Sequence, residues 1–266
     1  MLPIQEINAY VICLEKKREK RCDANFASIQ KIFPLAEWTS AVDANTISHE
    51  DDNRISVYAK YHIKTKLDTD ISHLASKGAI GCSLSHIGLW KRIVEENKPA
   101  IIIEDDMHFS DKKADSIREA YRTLPTDTNY ASIVHLPWPA SNIIISNKSY
   151  EKISSRDMLA GTQMYFITPR GAEILLREAF PIVTHIDVYI SYMSSVYPEE
   201  LNGTFYTKPL YSFFEFIRDD MTSTIKHKSY IKKMLPESNT FYLCTFVFIF
   251  MLITTIVLLF TRMKKR

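Results

Sequence analysis

Residues 100–110, AIIIEDDMHFS, carry four apolar residues straight into Glu104, Asp105 and Asp106. So short an apolar run, set behind the turn signal Lys98-Pro99, reads as a buried strand. Three acidic groups at its end sit poorly together without a cation. In open α/β sheets, ligands bind in the crevice outside the carboxyl ends of the strands. A carboxylate pair there suits an octahedral Mg²⁺ or Mn²⁺, which prefers oxygen ligands and shares them with substrate phosphates. The plain alternative is a solvated acidic turn, and the surrounding sequence decides between the two.

That sequence alternates strand-like and helical patterns. Residues 7–14 (INAYVICL), 35–42, 131–136 (ASIVHL) and 163–168 (QMYFIT) read as strands. A helix is expected from the charged stretch after Leu14 to about Ile32. Another covers about 82–96, where Leu84, Ile87, Trp90 and Val94 form an apolar face and Pro99 lies just beyond the end. Ser110 or Asp111 can cap a third, with Ala114, Ile117, Tyr121 and Leu124 at helical spacing. Thr168-Pro169 reads as an N-cap followed by proline at the first helical position. A short helix is expected over 188–196, and 205–214 is aromatic and extended. The polar stretch 45–76 has no clear period. Strands alternating with helices predict an α/β fold with a mostly parallel sheet and helices on both faces.

The balance of charge narrows the partners. A formal net charge of +2 gives no electrostatic case for nucleic acid. The cysteines Cys13, Cys22, Cys82 and Cys244 show no CxxC pairing and no histidine clustering, so neither a disulfide framework nor a zinc site is expected. From Phe241 to Phe260 no residue is charged. As a helix this stretch would span about 30 Å, the thickness of the hydrocarbon core. Lys232 and Lys233 precede it, and Arg262, Lys264, Lys265 and Arg266 follow. It predicts one C-terminal transmembrane helix contacting membrane lipid. The opening MLPIQEINAYVICLEKKREKR lacks the basic n-region and long apolar stretch of a signal peptide. The expectation is post-translational insertion that leaves residues 1–235 in the cytosol. Basic flanks on both sides leave the positive-inside rule undecided. The expected order is a catalytic domain at 1–214, a tether at 215–240, the span at 241–260 and a basic tail at 261–266.

The block GAIGCSLSHIGLWKRIVEENKPAIIIEDDM (78–107) resembles glycosyltransferase family 25, which holds lipooligosaccharide and procollagen galactosyltransferases. The pieces are Gly78, Gly81, Cys82, Ser85, His86, Trp90 and the trio Glu104, Asp105 and Asp106. Three other segments are similar in order and character: VICLEKKREKR (11–21), Ala41-Val42-Asp43-Ala44, and Gly161 to Ala172 with Ile186-Asp187. The chain departs from the family pattern at Cys13 and Lys20, where a polar residue and an arginine are usual; lysine keeps the charge but loses the bidentate fork.

The resemblance implies a GT-A-like, Rossmann-type catalytic fold and transfer of a hexose, galactose foremost, from a UDP-sugar. It implies a donor pocket built from Cys13, Leu14, Arg18, Arg21, Asp43, Ser85, His86, Glu104, Asp105, Gly161 and Thr162. Its divalent metal, Mn²⁺ or Mg²⁺, would sit on Glu104, Asp105 and Asp106. Glu104 takes the first place of the usual Asp-x-Asp pattern, so the ligand beside Asp106 stays open between Glu104 and Asp105. Inverting stereochemistry implies a base for the acceptor hydroxyl, and Asp187 is the candidate, with a helix cap as its other reading. His86 reads equally as a buried support. Trp138, between two prolines, can stack on a sugar or form a rigid turn. The partners expected are the nucleotide-sugar donor and a glycan or protein acceptor. A catalytically inactive membrane-anchored sugar- or protein-binding relative is the alternative. A phosphoryl-transfer enzyme would show a phosphate-cradling glycine-rich loop, and a chain with only 6 glycines shows none.

Overall fold

A computed structural model describes residues 2–17, 22–65, 76–107, 109, 111–134, 143–146, 150–153, 161–202 and 205–207. The expected tether and span at 215–260, the basic tail, Trp138, Arg18 and Arg21 lie outside these residues. Among the described residues, no helix is long and apolar enough to cross a membrane.

Strand β1 (Asn8–Cys13) is followed by helix α1 (Asp23–Gln30) and β2 (Ala36–Ser40). Then come α2 (Val57–Thr65), the long α3 (Lys77–Glu96), β3 (Ala100–Glu104), α4 (Asp111–Arg122) and β4 (Tyr130–Val134). A hairpin of β5 (Ile143–Ser146) and β6 (Tyr150–Ile153) leads to β7 (Met164–Ile167), α5 (Pro169–Leu176), α6 (Ile186–Val196), α7 (Pro198–Leu201) and β8 (Phe205–Thr207). The strands form one sheet in the order β2-β1-β3-β7-β4-β8-β6-β5.

The continuous apolar runs follow from burial on both faces. Tyr10, Ile12, Ala100, Ile102, Tyr165 and Ile167 point into one core, with α3, α5 and α6 over it. Their neighbours Ala9, Val11, Ile101, Ile103, Met164 and Phe166 point into the other, with α1 and α4 over it. Side chains alternate across a strand, so each strand serves both cores. Helices on both faces are thus as expected.

The sheet itself differs from the expectation of a mostly parallel one. β1 runs parallel to β2 and β3, and β4 to β8. β7, however, lies antiparallel between β3 and β4, and the β5–β6 hairpin joins antiparallel to β8. Strand–helix alternation predicts parallel strands only where a helix makes the crossover. Here a hairpin stands between β4 and β7, and the chain re-enters the sheet in the opposite sense. The fold is mixed α/β.

Two further boundaries shift. Helix α3 starts at Lys77 rather than near Cys82, with the Ser76 hydroxyl accepting the Ala79 N–H at 3.2 Å. Gly78 and Gly81 disguised its first turn. The helix ends at Asn97, whose φ of 49° is the left-handed cap that releases the chain into Pro99 and β3. Part of the unassigned stretch 45–76 is α2, tied down by an isolated bridge between Ile55 and Ile182.

Candidate active site

A cavity of about 310 Å³ opens at the carboxyl ends of β1 and β3. Ile12, Leu14 and Lys16 form the wall that leaves β1; residues 41–45 form the wall that leaves β2. Lys77, Gly78, Cys82, Ser85 and His86 present the start of α3, and Glu104, Asp105 and Asp106 close the end of β3.

Local packing explains these positions. A Cβ on Gly81 would stand 2.7 Å from the Val42 carbonyl oxygen, so only glycine lets α3 approach the loop after β2. Ser85 completes that junction, accepting the Val42 N–H at 2.9 Å and donating to the Gly81 carbonyl at 2.7 Å. Asp43 accepts from the Asn45 backbone N–H at 3.0 Å and pairs with Lys16 at 2.5 Å. The Lys16 ammonium holds the Asp43 carboxyl below its ordinary range.

The acidic trio is held unevenly. Glu104 Oε1 accepts the Thr162 hydroxyl at 2.5 Å and lies 3.6 Å from His86 Nε2. Asp105 accepts Asn25 Nδ2 on its main-chain carbonyl at 3.2 Å, and its Oδ2 lies 3.6 Å from Cys22 Sγ. Asp106 is exposed. The Cys82 thiol reports the shared field: burial pushes its pKa well up, and Glu104, Asp187, Asp106 and Asp105 push it further. Hard carboxylate oxygens in so negative a field fit Mg²⁺ or Mn²⁺ by donor chemistry.

Of the residues expected at the site, Leu14, Asp43, Ser85, His86, Glu104, Asp105 and Asp106 meet at the cavity. Thr162 acts from behind, through Glu104. Gly161 takes φ +86°, and its N–H donates to Asp187 Oδ2 at 3.0 Å. Asp187 lies one residue into α6, behind His185 as N-cap. Its Oδ1 accepts the Val188 N–H at 2.8 Å, and it is not among the cavity-lining residues.

Cys13 is a correction. It is joined to Cys22 by a disulfide with Cα atoms 6.4 Å apart, where no disulfide was expected. The two stand 9 positions apart, a spacing with no motif. Against the expectation of no zinc site stands one grouping among the described residues, Cys82, His86 and Glu104, with ligand atoms within 4.8 Å of one another. Cys13, Cys22 and Asp105 lie as close, but the disulfide leaves those two sulfurs no thiolate to offer. Sequence reading missed Lys16, Asn45 and Lys77 on the cavity wall and Tyr165 behind His86. Lys77 was hidden by the misplaced helix start; Lys16 stood in plain view in the basic segment.

Fold and cavity together define an α/β protein with an acidic ligand site at the carboxyl ends of its parallel strands. Residues 6–190 match the family described as glycosyltransferase family 25 (LPS biosynthesis protein). The chain belongs to glycosyltransferase family 25. It is 26% identical over 202 residues to a glycosyltransferase 25 family member of Aedes aegypti, covering 72% of this chain and 31% of that one. It is 26% identical over 147 residues to procollagen galactosyltransferase 1 of Danio rerio, covering 52% of this chain and 24% of the relative. With a putative glycosyltransferase of Haemophilus influenzae it shares 29% identity over 175 residues, 63% of this chain and 56% of the relative. The chain thus spans only about a quarter to just over half the length of these relatives.

Proposed function

We propose that this chain is a metal-assisted glycosyltransferase of GT-A type. In this reading it moves a hexose, galactose foremost, from a UDP-sugar to a hydroxyl of a glycan or protein, with inversion. The observation that carries the reading is the acidic trio at the mouth of β3, facing Lys16 and Lys77 across one cavity in a chain of this family. A divalent ion on Asp106 with Glu104 or Asp105 would neutralise the charge that develops on the departing diphosphate.

The chain's own residues do the rest. Thr162 holds Glu104 at its mouth position, and Asn25 holds the Asp105 main chain. Lys16 and Lys77 offer positive charge to the diphosphate. Asp187 takes the acceptor proton once substrate displaces one of its backbone contacts. The Danio rerio relative's name supports galactose and a protein hydroxyl; the family description supports a lipopolysaccharide glycan. The uncharged run 241–260 with its basic flanks supports a membrane anchor; that the catalytic part faces the cytosol is a separate part of the proposal, which the flanks do not decide.

The test is UDP release by the full-length chain across a panel of UDP-sugars, with Mn²⁺ or with EDTA. One hexose donor should give metal-dependent release, and Asp106→Ala should cut it at least about tenfold, or about 1.4 kcal/mol of barrier. Asp187→Asn should lower kcat by about a hundredfold with donor KM little changed. Release from no donor under any condition would refute the reading and favour a binding-only relative.

A further inference from the structure

His86 Nδ1 lies 2.8 Å from the Tyr165 hydroxyl oxygen, and Trp90 Nε1–H donates to that same oxygen at 2.9 Å. All three side chains are fully buried, each at 0% relative exposure. An indole N–H can only donate, so the phenol oxygen is the acceptor there. The phenol's own hydrogen then needs an acceptor, and among the described residues His86 Nδ1 is the group in reach. Burial pushes the Tyr165 pKa far up, so the hydrogen stays on the phenol to be donated. An imidazole that accepts at Nδ1 carries its hydrogen on Nε2.

That Nε2–H is buried and has no hydrogen-bond partner among the described residues. An orphan donor in the core keeps its full desolvation penalty and calls for a reason. It faces Glu104 Oε1 at 3.6 Å, the same oxygen that Thr162 already holds. At 3.6 Å the contact is longer than a hydrogen bond. Polar contacts in an empty site commonly tighten only when substrate arrives. The same hydrogen tells against an ion on Cys82, His86 and Glu104, because Nε2 would first have to lose it.

We propose that His86 is a positioning residue for Glu104: Tyr165 fixes the ring as its Nε2–H form, and that N–H closes on Glu104 Oε1 when the donor fills the cavity. The Glu104 carboxylate is then held in one orientation at the cavity mouth. The activity arm of this proposal rests on the transferase reading; the tautomer arm does not.

Nitrogen-15 NMR of the full-length, histidine-labelled protein reads the tautomer without any turnover, with His86→Gln assigning the signal. The expected result is a hydrogen-bearing Nε2 and a bare Nδ1, with the pattern lost in Tyr165→Phe. A hydrogen on Nδ1, or a pattern unchanged in Tyr165→Phe, would overturn it. In the activity arm, Gln keeps an amide N–H near the Nε2 position and Leu keeps the bulk without it. His86→Gln should retain kcat/KM within about threefold while His86→Leu loses at least about tenfold. Equal losses in two folded variants would overturn the positioning role. A wild type that shows the tautomer but transfers no sugar would count against the transferase reading and not against the ring geometry.

Discussion

Why residue 81 is glycine is settled by one carbonyl oxygen. Any side chain there would meet Val42 O at 2.7 Å and Ala44 Cβ at 3.1 Å, and backbone cannot swing aside as a side chain can. Gly81→Ala should therefore destabilise the protein by about 1–3 kcal/mol, measured by urea denaturation, and weaken UDP binding by pushing α3 off the cavity wall. An unchanged midpoint and affinity would show that the junction yields freely. At this scale the sequence was legible where chemistry is local. Glu104, Asp105 and Asp106 announce themselves because three acids directly follow a buried strand. Tyr165 did not, since its partner His86 stands 79 positions away and an aromatic in a strand looks like core. Cys13 and Cys22 were illegible for a different reason: they stand 9 positions apart in no known motif, so only the folded chain shows them paired.

Elements were read well where a cap or a period marked them. Thr168-Pro169 is such a mark, and the hydroxyl does accept the Gly171 N–H at 3.1 Å while donating to Asn129 Oδ1 at 2.7 Å. Thr168→Ala should cost about 1 kcal/mol by thermal or chemical denaturation; no loss would mean α5 is held by packing alone. The start of α3 and the sense of β7 were misread because glycines imitate a break and because strand direction depends on a connection, not on the strand's own residues.

The turn before α2 gives a pH test. Arg54 forks onto Asp52 with contacts of 2.6 to 3.1 Å and holds its carboxyl down to about 2 from an ordinary value near 3.8. A depressed carboxylate stabilises the fold above its unfolded value and loses that contribution as pH falls through about 2. Asp52→Asn should thus cost up to about 1 kcal/mol at pH 7, and the gap between variant and wild type should close at about pH 2. A gap that persists in acid would assign the effect to packing of the turn against Ile182, whose N–H donates to the Arg54 carbonyl at 2.7 Å.

For the whole molecule, the cytosolic placement of the catalytic part and the Cys13–Cys22 disulfide pull in opposite directions. Disulfides persist in oxidising compartments and are rare in the cytosol. A cytosolic catalytic part predicts that both thiols are free in the cell, counted by maleimide labelling under denaturing quench, and that protease digests the N-terminus of intact membrane vesicles. Blocked cysteines with a protected N-terminus would place the domain on the opposite side. Neither answer disturbs the catalytic account, because the cavity lies between α3 and the ends of β1 and β3.

That account stands on the acidic mouth of β3 holding a dication that in turn holds the nucleotide. Calorimetric titration of UDP into the full-length chain, with Mn²⁺ and then with EDTA, measures this without needing the acceptor. The account predicts binding that requires Mn²⁺ and weakens at least about tenfold, about 1.4 kcal/mol, in Asp105→Asn/Asp106→Asn. Equal affinity in EDTA and in the double variant would contradict it.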